Sequence, residues 1–303
     1  MDTAKKHLRK THNPLVSIIT PSLNQGQYIE RTLSSVLNQT YRNIEFIVMD
    51  GGSTDNTQNI LDKYSSDPRL SWFSGRDKGQ YDAVNNGFLK ARGDILGWIN
   101  ADDVYMENAV EKVVHVFQMK PSVDIVYGRL YSLVEQGAYT RILYSRPFSY
   151  HWLRRYCFTN PSATFIRASL IHHEKFLIDT AVPTFGDWDW FLRMAEAGKR
   201  FHHLPEIITG FRVHPASRIM RMDKRTIRKE RRMITRRHNI ALDYISLWVD
   251  IIIPWYERLQ NAQLLITNHE WREILRRMLS ATSFIFTHDR KKRCCSTDRI
   301  NHG

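Results

Sequence analysis

Trp98-Ile99-Asn100-Ala101-Asp102-Asp103 is an apolar run that ends in two adjacent carboxylates. Burying an unpaired carboxylate is strongly unfavourable, and a divalent metal is one of the few partners able to offset two together. A second acidic element, Asp50-Gly51-Gly52-Ser53-Thr54-Asp55, follows another apolar run, Ile44-Glu45-Phe46-Ile47-Val48-Met49. Two strands that deliver acids to one end of a sheet predict a site for a metal and a phosphorylated ligand.

Outward from these two runs, residues 15–127 alternate between strand and helix patterns. Leu15–Thr20 reads as a short strand stopped by Pro21. A helix is predicted over 27–39, with Ile29, Leu33, Val36 and Leu37 at helical spacing. After the strand Ile44–Met49 comes a helix opened by Ser53 or Thr54. Further strands are predicted at 70–73, 95–99 and 123–127, and further helices at 80–91 and 107–118.

Such alternation implies an α/β fold with a mostly parallel, Rossmann-like sheet flanked by helices. In such sheets the ligand sits outside the carboxyl ends of the strands. Thr20, Pro21, Asp50, Asp77 and Asn100 to Asp103 are therefore expected along one crevice. Beyond Gly128 the pattern becomes mixed. Residues 127–144 read as a hairpin, and Phe185–Met194 reads as a helix start with Asp187 in its first turn. Long helical patterns dominate from Asp223 onward.

Asp102 and Asp103 suit a hard cation such as Mg²⁺ or Mn²⁺, with a diphosphate supplying the remaining ligands. Capping of the helix near Glu107 is the alternative use of the same pair. The neighbouring Asn100 and the second acidic strand end favour the metal. Asp187 divides in the same way, between capping its helix and acting as a base.

The ordered motif set resembles the family 2 glycosyltransferases of the GT-A fold, from about Pro14 to Arg218. Its elements are Ser17–Asn24, Ser35–Tyr41, Asp50–Asp55, Asp77–Ala83, Asn100–Asp103 and Gly186–Asp189. The resemblance implies transfer of a sugar, with inversion, from a nucleotide-diphosphate donor to a hydroxyl acceptor. It implies that Thr20, Asp50 and Asp77 contact the base and ribose, with Pro21, Asn24, Asn100, Ala101 and Asp102 also binding the nucleotide sugar. Asp102 and Asp103 match the metal-binding D-x-D stretch, where Asn100 stands in place of the usual first acid. Contact with ribose, contact with metal and shaping of the loop all remain open for Asn100. Asp187 matches the catalytic base. Arg212, His214 and Arg218 resemble a later basic segment near the diphosphate, which makes His214 a candidate for the metal or a phosphate. Trp152, Tyr156, Trp188 and Trp190 suit either an acceptor sugar or the core.

No Q-x-x-R-W element follows Asp187, so a non-processive transferase is expected. The implied setting is cell-surface glycan biosynthesis, with a polysaccharide or lipid-linked acceptor. A catalytically silent sugar-nucleotide-binding protein on the same fold is the alternative reading.

The chain of 303 residues carries a net charge of +13. From Arg221 to Gly303 there are 18 Lys/Arg against 9 Asp/Glu. A basic segment of this kind meets an anionic partner or forms a solvated surface. With Trp248, Ile251–Ile253 and Trp255, it suggests peripheral contact with the inner face of the cell membrane. No nucleic-acid module accompanies it, so no nucleic-acid partner is expected. Cys157, Cys294 and Cys295 form no disulfide framework, and a cytoplasmic location is expected. Met1–Pro14 has no apolar core and is not expected to be a signal peptide. The expected divisions are a flexible 1–13, a GT-A domain over 14–220 and a basic helical extension over 221–303.

Overall fold

The computed structural model describes residues 13–133, 139–143, 145–214, 217 and 223–240. All of them belong to one compact unit, Met1–Ile251. Four apolar runs form parallel strands: β1 (Val16–Ser22), β2 (Ile44–Asp50), β3 (Leu70–Ser74) and β4 (Ile95–Trp98), in spatial order β3-β2-β1-β4. The crossovers carry α1 (Ile29–Leu37), α2 (Thr57–Tyr64) and α3 (Gln80–Lys90). Successive residues of β1 face opposite sides. Val16 and Ile18 join Leu33 and Val36 in one core, while Ile19 joins Val84 and Phe88 in the other. Each of these side chains is 0–1% exposed and contributes on the order of 1.5–3 kcal/mol through burial. Both faces of the sheet are thus covered, as the continuous apolar strands predict.

The sheet continues past β4 through a reversed strand. Beyond β5 (Val104–Tyr105) and α4 (Ala109–Met119), the chain enters β6 (Ile125–Leu133), which pairs antiparallel with β7 (Tyr139–Ile142). After the short helix α5 (Tyr150–Leu153), β8 (Thr164–Arg167) inserts antiparallel between β4 and β6. The short α6 (Ser169–His172) and then α7 (Gly186–Glu196) lead to β9 (Phe201–Arg212), which lies parallel to β6 and receives β5 on its far edge. Strands β1, β2, β3, β4, β6 and β9 share one direction, so the sheet is mostly parallel, with β5, β7 and β8 reversed.

Three sequence expectations are corrected. Pro21 does not end β1, which runs on to Ser22; the pairing with β4 stops at Ile19↔Trp98, so Pro21 lies beyond that ladder. The strand at 123–127 extends to Leu133, and the hairpin pairing begins only at Tyr131. β9 is absent from the expected strands because Pro205 and Glu206 interrupt its apolar pattern. The register with β6 slips there, from Tyr127↔His203 to Arg129↔Ile207, and that irregularity accommodates the proline.

The helix α8 (Lys224–Arg237) opens the basic segment, and Asp223 caps it by accepting from the amides of Arg225 and Thr226. Trp248, Ile251–Ile253, Trp255, Arg290–Arg293, Cys294 and Cys295 lie outside the described residues, as does Arg218. Among the described residues no helix is long and apolar enough to cross a membrane.

Candidate functional site

Where β4 ends, Asn100 ties four groups together. Its Oδ1 accepts from Trp98 Nε1 at 3.0 Å and Gln80 Nε2 at 2.7 Å. Its Nδ2 lies 3.1 Å from Asp103 Oδ2 and 3.2 Å from Ser162 Oγ. An indole N–H can only donate and a carboxylate accepts, so this amide has one sensible orientation. Asp103 is fully buried and also accepts from Ser162 Oγ at 2.6 Å and from the Arg212 amide at 2.9 Å. Burial, and then the nearby Asp102 charge, pushes its carboxyl well above the usual range, against the pull of these donors. Thr32 Oγ1 lies 2.9 and 2.7 Å from the carbonyl oxygens of Ala101 and Asp103, bracing the same turn.

Asp102 points the other way, into a cleft. Its Oδ2 lies 3.0 Å from His214 Nε2, and its carbonyl accepts from Arg212 Nε at 2.9 Å. Tyr28 stands beside both basic residues, its ring 4.6 Å from the His214 ring and 5.4 Å from the Arg212 guanidinium. His214 Nδ1 is buried without a hydrogen-bond partner. Among the described residues no group of three or more His, Cys, Asp or Glu side chains is assembled for a metal. The Asp102–His214 pair nevertheless offers the oxygen and imidazole donors that a Mg²⁺ or Mn²⁺ ion completes with phosphate and water. Two protein donors, one of them a carboxylate, are in keeping with an ion that takes its other ligands from phosphate and water.

The strand ends β1, β2 and β3 build the other side. Asp50 is buried and accepts from the Ser53 amide at 3.0 Å, from the Ser53 hydroxyl, from Ser74 Oγ at 2.7 Å and from Gln58 Nε2 at 3.3 Å. It organises its own turn. Asn24, held at φ 52°, donates its amide to Ser53 Oγ at 2.8 Å and accepts from the Thr54 amide at 2.9 Å. Asp77 lines the cleft and accepts from the Gly79 amide at 2.8 Å. Gly51 lies close beside it: a β-carbon there would stand 2.8 Å from Asp77 Oδ2 and push that carboxylate aside. Thr20 is buried, and its Oγ1 has no hydrogen-bond partner.

Asp187 enters from the first turn of α7. Its Oδ1 accepts from the Trp188 amide at 2.8 Å and lies 3.5 Å from Tyr81 OH. Tyr81, on α3, donates to the Thr184 carbonyl at 2.6 Å. Gly186 permits this approach, since a β-carbon there would stand 2.6 Å from the Tyr81 ring. Asp189, two residues on, is fully buried and serves Arg193 at 2.8 Å, Arg237 at 2.7 Å and His238 at 3.1 Å. Burial alone would raise its pKa; these three donors outweigh it and hold the carboxyl at about 2.

Pro21, Asp77, Asn100, Ala101, Asp102, Asp187, Arg212 and His214 line one cleft of about 690 Å³. Thr20, Asp50 and Asp103 are buried beside it, and the exposed Asn24 lies outside its lining. Trp188 and Trp190 are core residues whose indole N–H groups donate to the carbonyls of Leu153 and Phe176. Trp152 and Tyr156 pack against that core, and neither lines the cleft. Gln80, Tyr81 and Ser162 join the site without being among the residues the sequence marks. Gln80 and Tyr81 sit inside the Asp77–Ala83 motif, whereas Ser162 has no local signal beyond its place after Asn160-Pro161.

The family model described as "Glycosyl transferase family 2" matches residues 17–182, more than half of the chain. This chain belongs to glycosyl transferase family 2. The family 2 chain is 28% identical over 222 residues to an uncharacterized glycosyltransferase of Rickettsia typhi, covering 69% of itself and 67% of that relative. It is 30% identical over 205 residues to the chondroitin synthase of Escherichia coli, covering 64% of itself but 28% of that protein. It therefore spans about two thirds of the first relative and under a third of the second. Among solved structures it is similar to S. aureus TarS 1-349 in complex with UDP-GlcNAc, with a TM-score of 0.58 at 15% identity over 73% of this chain and 65% of that one. It is also similar to the mannosyltransferase PcManGT from Pyrobaculum calidifontis in complex with GDP-Man and Mn2+, with a TM-score of 0.59 at 17% identity over 95% and 84%. Both likenesses bear on the fold, and the family 2 chain shares their GT-A architecture.

Proposed function

We propose that this family 2 chain transfers a sugar from a nucleotide-diphosphate donor to a hydroxyl acceptor with inversion at the anomeric carbon. The observation that carries the reading is the meeting of Asp187 and the Asp102–His214 pair on one cleft. In the proposed step the acceptor oxygen bonds to the anomeric carbon while the bond to the diphosphate breaks, and Asp187 takes the acceptor proton. Asp102 and His214 would hold a Mg²⁺ or Mn²⁺ ion, which when bound offsets the charge of the departing diphosphate. Arg212, with its guanidinium fixed against Asp102 and Tyr28, adds a preorganised positive charge in the same cleft. Asn100 shapes the loop, and Asp103 supports it from below.

Several observations support a role in cell-surface glycan assembly. One relative is named a chondroitin synthase, and two solved neighbours hold UDP-GlcNAc or GDP-Man. The exposed Arg225, Arg228, Lys229, Arg232 and Arg236 line one basic hollow on α8. Such a face suits the anionic inner surface of a membrane, at about 1 kcal/mol per cation near the lipid. A cytoplasmic enzyme touching that surface, with a lipid-linked or polysaccharide acceptor, is the resulting assignment.

The test is a donor-hydrolysis screen across UDP-, GDP- and dTDP-sugars with and without Mn²⁺, run on the wild-type chain and on Asp187→Asn. Metal-dependent hydrolysis of one donor, lost in Asp187→Asn while the nucleoside diphosphate still binds, is the expected result. Nucleotide binding without hydrolysis of any donor or transfer would favour the silent binding protein.

A further inference from the structure

Glu230 is a buried carboxylate on α8, well past the segment that the family model matches. A buried acid is costly unless its oxygens are met by donors. Those donors come from the turn that carries Asp187. Oε2 accepts from the amides of Thr184 at 2.9 Å and Phe185 at 3.1 Å, and Oε1 accepts from Thr184 Oγ1 at 3.0 Å.

Phe185 immediately precedes α7 and supplies no side-chain cap. The amides at a helix start lack partners within the helix, and negative charge is favoured there. Glu230 meets both needs from a different helix. Thr184 is consequently gripped twice, since Tyr81 OH also donates to its carbonyl. The Arg231 guanidinium lies 5.9 Å from the Phe185 ring. α8 itself is anchored by Arg237, which reaches Asp179 at 2.8 Å and Asp189 at 2.7 Å.

We propose that Glu230 is a positioning residue for the transfer reaction, fixing the Thr184–Asp187 turn so that the Asp187 carboxylate is presented to the cleft. This rests on the assignment of Asp187 as the base. It makes α8 part of the machinery of the site, although α8 contributes no side chain to the cleft lining. A small displacement of a reacting group can lower the rate by roughly 100-fold, so the effect belongs in kcat.

The experiment uses the full chain and the donor found by the hydrolysis screen, with Glu230→Ala, Glu230→Gln, Thr184→Ala and Asp187→Asn measured in parallel. Glu230→Ala is expected to lower kcat by roughly 10- to 100-fold. The Kd for the nucleoside diphosphate should stay within about twofold, because the three hydrogen bonds of Glu230 lie away from the nucleotide end. Glu230→Gln should restore most of kcat, since its carbonyl accepts from the two amides and its NH₂ donates to the Thr184 hydroxyl. Thr184→Ala, which removes one bond of the three, should show a smaller loss of kcat with the same unchanged Kd.

A folded Glu230→Ala with wild-type kcat overturns the proposal, as does one whose nucleotide affinity falls in step with its rate. If Glu230→Ala does not fold, Thr184→Ala decides, and an unchanged kcat there is the overturning result. Asp187→Asn separates the two assignments. Full transfer in that variant removes the base and this inference with it, whereas a dead Asp187→Asn beside a fully active Glu230→Ala removes only the role of Glu230.

Discussion

Asn100 donates to the buried Asp103 across 3.1 Å, at the position where the resemblance to family 2 implies an acid. A carboxylate at 100 would face Asp103 Oδ2 without the amide proton that now bridges them, and would lose the Ser162 contact as well. Asn100→Asp is therefore expected to destabilise the chain by about 1–3 kcal/mol, because it sets two carboxyl groups against each other and removes a hydrogen bond to Asp103. Thermal unfolding would measure it. A variant with restored family-like acids and improved metal affinity at unchanged melting temperature would contradict the assignment.

Removing either member of the Asp102–His214 pair should act on metal affinity first. Asp102→Ala and His214→Ala are each expected to raise the Mn²⁺ concentration for half-maximal activity by about tenfold or more. Activity titrated against Mn²⁺ checks this. His214→Ala with an unaltered metal requirement would leave His214 as a partner of Asp102 alone.

Stability should decline toward alkaline pH through His238. Burial lowers its pKa, but hydrogen bonds and charge from Asp189 and Glu196 outweigh that and raise it, with Arg237 and Arg193 facing the same Asp189. A raised folded value means the contribution is full below the unfolded histidine value near 6.5 and is lost as pH climbs through the folded one. Asp189, depressed to about 2, acts oppositely: its contribution is present above the unfolded carboxylate value near 3.9 and fades as pH falls through about 2. The Asp189 contribution amounts to about 2 kcal/mol. Urea unfolding across pH 5–9 should show the alkaline slope in wild type, and His238→Gln should flatten it.

Gly186→Ala should disturb the catalytic turn by crowding. The added β-carbon would lie 2.6 and 3.0 Å from the Tyr81 ring and 3.2 Å from the Asp179 carbonyl. A loss of about 1–3 kcal/mol is expected. Because the clash falls on Tyr81, Tyr81→Ala in the same chain should recover part of the loss in a double-mutant cycle.

Neutralising the outer face of α8 should weaken contact with anionic vesicles. Arg228→Gln, Arg232→Gln and Arg236→Gln together are expected to remove about 3 kcal/mol of electrostatic attraction. Co-sedimentation with vesicles rich in phosphatidylglycerol, against phosphatidylcholine alone, measures it. Donor hydrolysis in the absence of lipid should be unaffected.

The sequence reveals this fold where a single segment contains the whole signal. β1, β2 and β4 are buried on both sides and read as apolar runs, and the acids after them fall at the strand ends as the parallel arrangement requires. β8 has only two apolar residues, Phe165 and Ile166, between Thr164 and Arg167, and β9 is interrupted at Pro205, so neither gives a clear pattern. The same distinction governs the site. Asp102 and Asp187 stand out from local motifs. The difference between Asp102 and Asp103 does not, because it depends on Ser162 and Arg212, which are 59 and 109 residues from Asp103. Glu230 is hidden for a like reason: on α8 it is one acid in a basic helix, and only the approach of Thr184 gives it a task.

β9 ends by gripping one loop at three points. The Arg212 amide holds the Asp103 side chain, the Arg212 guanidinium holds the Asp102 carbonyl, and His214 holds the Asp102 side chain. The Asp102 backbone and carboxylate and the His214 imidazole are therefore held as one piece by the end of β9. Substitutions in the last residues of β9 should accordingly disturb Asp102, Asp103 and His214 together rather than one at a time.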